Sequence, residues 1–261
     1  MLHRKAFTLI ELLVVISVIS LLAAILMPAL SMAREQAQTT VCSANLRNLT
    51  SALLVYVLDN EDNLPVYNQL LPGRWNDGYV HMGRSKATTR AIENSVLAKY
   101  LGGNDFQDFT CPVFARLVPD DEIPEGGLAF SYTYNWNLCR QSKLDYPNDA
   151  EGLTKVSKVR RPSDMGVFCE ENWYVHPAYG PTIMNDGRIV AIRWPDQDTF
   201  ATFHRRRKSD RYANGNPAYT GHDPMMTGNA NISFLDGHVA PCDTTDTEEV
   251  LYDDDSRVKY R

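Results

Sequence analysis

The sequence predicts an α+β protein: a long N-terminal helix, transmembrane and then amphipathic, packed on an irregular antiparallel β-sheet head. Three observations predict it. Phe7 to Leu30 is an apolar run, the following thirty residues carry a helical stripe, and from residue 64 the chain breaks into short β-prone segments separated by turn signals. Composition fits a folded chain. With 261 residues, 44% apolar and 22% charged, a disordered or collagen-like chain is excluded. A mean hydropathy of −0.33 excludes a polytopic membrane protein but leaves room for one span. The net charge is −6 and there is no long basic tail, so nucleic acid is not expected as the main partner.

Residues 1–6, Met-Leu-His-Arg-Lys-Ala, form a short basic leader. Residues 7–30 then give 24 positions with one charge, Glu11. A helix of that length reaches about 36 Å at about 1.5 Å per residue, and a bilayer core is about 30 Å thick. The segment is therefore long enough to span. Arg4 and Lys5 ahead of it hold the N-terminus in the cytoplasm and put the rest of the chain across the membrane. A cleaved secretory signal is the competing reading. The run is longer than such signals carry, and no clean small-x-small site follows it.

Glu11 is the informative residue of the span. A lone carboxylate costs about 2.5–3.5 kcal/mol near a bilayer centre, less near an end, and marks a functional position. It lies four residues after Phe7. A cut between Ala6 and Phe7 would set the new amine and Glu11 at i, i+4 spacing, with the carboxylate in the favourable first turn.

Residues 31–60 continue as an amphipathic stem. Leu46, Leu49, Leu53 and Val57 recur at helical spacing, while Arg34, Glu35, Gln36, Arg47 and Asn48 supply a polar face. Pro28 inside the run predicts a kink. Asp59-Asn60-Glu61-Asp62-Asn63 before Pro65 predicts the end. Residues 61–261 are the head. Asp77-Gly78, Asn185-Asp186-Gly187, Asn214-Gly215 and Asp236-Gly237 are turn signals. Strand-like runs lie at Leu128–Tyr134, Gly166–Cys169, Ile189–Trp194 and Ile232–Leu235, and one helix is expected over Thr88–Tyr100.

Residues 5–16, Lys-Ala-Phe-Thr-Leu-Ile-Glu-Leu-Leu-Val-Val-Ile, resemble the prepilin signature of type IV pilins and type II secretion pseudopilins. The resemblance implies cleavage between Ala6 and Phe7 by prepilin peptidase and N-methylation of Phe7. It makes Glu11 the fifth mature residue and Pro28 the twenty-second, where that family often has proline. Ala6 departs from the usual Gly before the cut. The implied partners are prepilin peptidase, other pseudopilin subunits and an inner-membrane assembly platform. The implied location is the inner membrane, single-pass, with a periplasmic or extracytoplasmic head. Loss of the leader would leave a net charge of −8.

Further segments are similar to a prepilin-like group of planctomycete-type bacteria. They are Ala33-Arg34-Glu35, Cys42-Ser43-Ala44-Asn45-Leu46, Cys111-Pro112, Ser131–Asn135, Arg161-Pro162-Ser163-Asp164 followed by Glu170, and Ala230–Val239. The last is similar to the tail of that group's H-x9-DG element, with Asp236 and Gly237 as its DG. Position 226, where the His would fall, is Met; His222 and His204 are the nearest candidates.

Each candidate site also has a plain structural reading. Asp236-Gly237 reads as a hairpin turn before it reads as a ligand position. His176, His204, His222 and His238 lack the short spacing of a zinc site, so no metal site is named. With no H-E-x-x-H, G-x-S-x-G or P-loop, no catalytic residue is named and the chain is not expected to be an enzyme. His204-Arg205-Arg206-Arg207-Lys208 reads as a solvated loop, with an anionic contact as the functional alternative. No cofactor is expected; Ca²⁺ on the acidic tail, Asp243 to Asp255, is the alternative kept open. Five cysteines leave at least one unpaired. A Cys42–Cys111 bridge would staple stem to head, against a plain reading of buried thiols.

The expected function is a pilin-like filament subunit. The alternative is a tethered extracytoplasmic module that binds a solute or polysaccharide through Trp75, Trp136, Trp173 and Trp194.

Overall fold

The computed structural model describes residues 8–65, 95–101, 111–113, 131–135, 138, 155–170, 174–176, 180–183, 188–189, 204 and 229–243. One helix, α1, runs Leu9–Asp59 with Pro28 inside it. The chain divides into two compact units, Met1–Gln38 and Thr39–Arg261.

The first unit is helix surface without a core. Its large apolar side chains from Leu9 to Met32 are exposed, Leu9 at 79% and Leu30 at 71%. The helix is long and apolar enough to cross a membrane. Two of its hydroxyls are spent inside the helix: Ser17 Oγ donates to the Val14 carbonyl and Ser20 Oγ to that of Ile16, each at 2.8 Å, so neither donor is left for an apolar surrounding to satisfy. Pro28 has no N–H for the Ala24 carbonyl, yet α1 is continuous through it.

In the second unit the helical stripe becomes a buried face. Leu46, Leu49, Leu53 and Val57 are buried, joined by Cys42, Ala52 and Tyr56. Arg47 and Asn48 are exposed, as the polar face requires; in the first unit Arg34 and Gln36 are exposed and Glu35 is half-buried. The helix ends where expected. Glu61 and Asp62 take positive φ, 54° and 68°, and the Asp62 N–H caps the Val57 carbonyl at 3.0 Å. Asp62 then anchors the next segment: its carboxylate accepts the Ser157 N–H at 3.2 Å and the Ser157 hydroxyl.

A five-stranded sheet completes this unit. Its strands are β1 (Tyr132–Asn135), β2 (Gly166–Glu170), β5 (Arg188–Ile189), β6 (Asn229–Phe234) and β7 (Val239–Asp243), in the order β5-β1-β2-β6-β7. β1–β2, β2–β6 and β6–β7 are antiparallel, as predicted; β5 adds a parallel edge pair to β1. A separate antiparallel pair joins β3 (Tyr174–His176) to β4 (Gly180–Ile183). β1 and β2 are buried on both faces, which explains their lack of clean alternation. Pro241 lies in β7, at the sheet edge where a missing N–H is tolerated. The core joins the buried face of α1 with Tyr132, Tyr134, Val167, Phe168, Cys169 and Ile232.

The expected helix over Thr88–Tyr100 is corrected where it is described. Residues 95–101 form a turn and a short 3-10 segment, Ala98–Tyr100, not α-helix. Residues 88–94 lie outside the described residues, as do the tryptophans, the basic run beyond His204 and the acidic tail beyond Asp243.

Candidate functional site

The start of α1 is built as a reciprocal cap. Thr8 precedes the first helical residue, and Glu11 stands three positions on. The Thr8 N–H and Thr8 Oγ1 both donate to Glu11 Oε2 at 2.8 Å, and the Glu11 N–H donates back to Thr8 Oγ1 at 3.3 Å. This is a capping box, which satisfies two donors that the helix itself cannot. The sequence carries the signal for it, Thr-x-x-Glu before an apolar run. Ala6 and Phe7 lie outside the described residues.

Asp236 and Gly237 sit in the turn between β6 and β7. The Gly237 N–H reaches the Phe234 carbonyl at 2.8 Å, and Gly237 has φ 93°. A three-residue hairpin loop needs that left-handed position, which glycine takes without strain. Asp236 Oδ1 accepts the His238 N–H at 3.0 Å and lies 2.6 Å from His238 Nδ1, while the His238 ring stacks on Phe234 at 4.2 Å. Burial is the largest single influence on Asp236 and opposes its ionisation, but the His238 contacts together outweigh it and hold the carboxyl below its ordinary range. These contacts are those of a structural turn.

His222 lies outside the described residues, whereas His204 does not. His204 is 1% exposed and pairs by backbone with Asn229, at the head of β6. Around it the fold gathers residues that no sequence spacing connects. Cys42 from α1, Cys111, Glu170 from β2 and His204 are all buried, with one ligand-type atom of each within 4.8 Å of the others. His204 Nε2 is 2.8 Å from Glu170 Oε1 and 3.8 Å from Cys111 Sγ. Cys42 Sγ and Cys111 Sγ are 2.6 Å apart, without a disulfide. Burial pulls the His204 pKa down, but hydrogen bonds to Cys42 and Glu170 and the Glu170 charge overcome it and raise it to about 10. Burial pushes the Cys42 thiol up; Cys111 and His204 outweigh it and draw it down. The Tyr132 phenol is pushed well up by burial and by Glu170.

The sequence offered Cys42 with Cys111 as one possible bridge, but nothing in it joined that pair to Glu170 or His204. Cys42 and Cys111 are 69 positions apart, and Glu170 and His204 are 34 apart. Spacing rules for metal or catalytic sets work within short motifs, so only the sheet could show the convergence.

Comparisons with known proteins bear on the N-terminus. A family model described as the prokaryotic N-terminal methylation motif matches residues 1–27. The type IV wide pilus major component PilA4 of Thermus thermophilus is 47% identical over 58 residues, covering 22% of this chain and 44% of that protein. The type II secretion system core protein G of Pseudomonas aeruginosa is 37% identical over 58 residues, covering 22% of this chain and 41% of that protein. The chain thus spans less than half the length of these curated relatives. No solved structure matches. The chain begins with a prepilin-type methylation motif and is similar there to type IV pilins and type II secretion pseudopilins.

Proposed function

We propose that the chain is a pilin- or pseudopilin-like subunit that assembles into a type II secretion or type IV pilus-like filament. On this reading prepilin peptidase cuts between Ala6 and Phe7 and the Phe7 amine is methylated. The mature helix waits in the inner membrane as a single span, with the second unit on the extracytoplasmic side. An assembly platform then packs it against other subunits. The role is structural and needs no catalytic residue or cofactor.

The carrying observation is the chemistry of the first helix unit. From Leu9 to Met32 it is apolar all round, with large side chains exposed and one carboxylate, Glu11, in the first turn. A helix hydrophobic on every face needs an apolar surrounding, either lipid or other helices. A passive tether has no use for a carboxylate there. In a filament the amine of a neighbouring subunit leaves a charge in an apolar core, and Glu11 would neutralise it.

The test is mass spectrometry of the N-terminal peptide from native membranes. An N-methylated Phe7 is expected. An intact Met1, or a cut after residue 28, would sink the reading and leave a tethered or exported binding protein.

A further inference from the structure

We propose that Cys42, Cys111, Glu170 and His204 form a buried site for one zinc-class divalent cation within the second unit. The four groups come from separate parts of the chain: α1, the segment at 111–113, β2 and the His204 bridge to β6. Three are 0% exposed and His204 is 1%. Their ligand atoms already lie within 4.8 Å of one another. Metal bonds of about 2.0–2.3 Å in a tetrahedral shell place ligand atoms roughly 3.3–3.8 Å apart. Small side-chain movements reach that geometry.

The outer atoms of the set are held in the way a metal site requires. His204 Nδ1 is 3.0 Å from Thr39 Oγ1, which leaves Nε2 turned to the cluster. Glu170 Oε2 accepts the Asn231 N–H at 2.9 Å, which leaves Oε1 turned inward. The Cys111 N–H donates to Ser131 Oγ at 2.6 Å and fixes the backbone behind that sulfur. Tyr132 stands directly across from Glu170 in the β1–β2 register, with its buried hydroxyl beside the Cys42 thiol. A metal-bound thiolate would give that hydroxyl an acceptor.

Ligand type selects the ion. Two thiolates and an imidazole favour zinc and its close relatives over calcium or magnesium, which prefer all-oxygen shells. Binding displaces the protons of both thiols and of the imidazolium, and these leave to solvent. The short sulfur–sulfur separation frames the rival. A cation opens the pair toward about 3.8 Å, whereas oxidation to a disulfide closes it to about 2.05 Å and removes both ligands. The two fates exclude each other.

The test uses the full chain in detergent. Metal content is read by elemental mass spectrometry, and the thiols are alkylated after chelation and unfolding. About one zinc per chain is expected, with Cys42 and Cys111 both alkylated. Replacing zinc by Co²⁺ should give the visible absorption of tetrahedral cobalt and a thiolate charge-transfer band. Cys42→Ser and His204→Gln should each lose most of the metal, while Cys242→Ser, outside the set, keeps it. Circular dichroism separates loss of metal from loss of fold. A Cys42–Cys111 disulfide in the wild-type chain, or a reduced, folded wild-type chain that takes up neither zinc nor cobalt, overturns the proposal. Those measurements need no variant to fold.

Discussion

Within its own helix Glu11 closes the capping box with Thr8 at 2.8 Å. In the proposed filament the same side chain would carry its charge to a neighbour's amine. Glutamine separates the two, because it keeps the acceptor oxygen and loses the charge. Glu11→Gln is expected to insert in the membrane like the parent but to assemble poorly, read by carbonate extraction and by recovery of sheared filaments. Glu11→Val is expected to assemble no better and to fray the helix start as well, because the reciprocal cap with Thr8 is lost. If the Gln variant assembles normally, the carboxylate is a cap and nothing more. Asp236 offers a second test at this scale. Its folded pKa lies below the ordinary 3.8, so its contribution to stability is present above about pH 4 and is lost as pH falls through the lowered value. Asp236→Asn should flatten that acid limb, measured by urea unfolding at pH 6 and pH 3.

At the scale of the element, α1 reads as two helices joined end to end. Its first part, Leu9 to Met32, exposes large apolar side chains and is long and apolar enough to cross a membrane. Its second part buries Leu46, Leu49, Leu53 and Val57 and leaves Arg47 and Asn48 in water. The stop at Asp59 is more strained than the start. Glu61 adopts φ 54°, a left-handed conformation that costs an L-residue about 1–2 kcal/mol. Glu61→Gly should therefore stabilise the second unit by about 1 kcal/mol, read as a higher midpoint in denaturant at unchanged slope. Asp62 is different, since its carboxylate holds Ser157; the same change at Asp62 should destabilise.

At the scale of the molecule, the buried apolar core begins at Cys42, inside the unit Thr39–Arg261. A chain starting at Thr39 is expected to fold and to stay in solution without detergent, measured by circular dichroism and size exclusion. The full chain should require detergent, because it exposes the apolar residues from Leu9 to Met32. A truncated chain that aggregates would mean that the second unit depends on the first.

Periodicity and turn chemistry are local, so the sequence by itself determined the long helix, its change of character near residue 30, its stop at Asp59 and the β6–β7 hairpin. Local signals failed where geometry is shared between distant residues. The parallel edge of β5 on β1 depends on where the chain returns, not on what two residues are. The 3-10 segment at Ala98–Tyr100 took the place of an α-helix that propensity alone favours. Only the tertiary structure brought Cys42, Cys111, Glu170 and His204 to one point. Each is unremarkable in its own segment, and a site of this kind exists only once a helix and a sheet have closed over it.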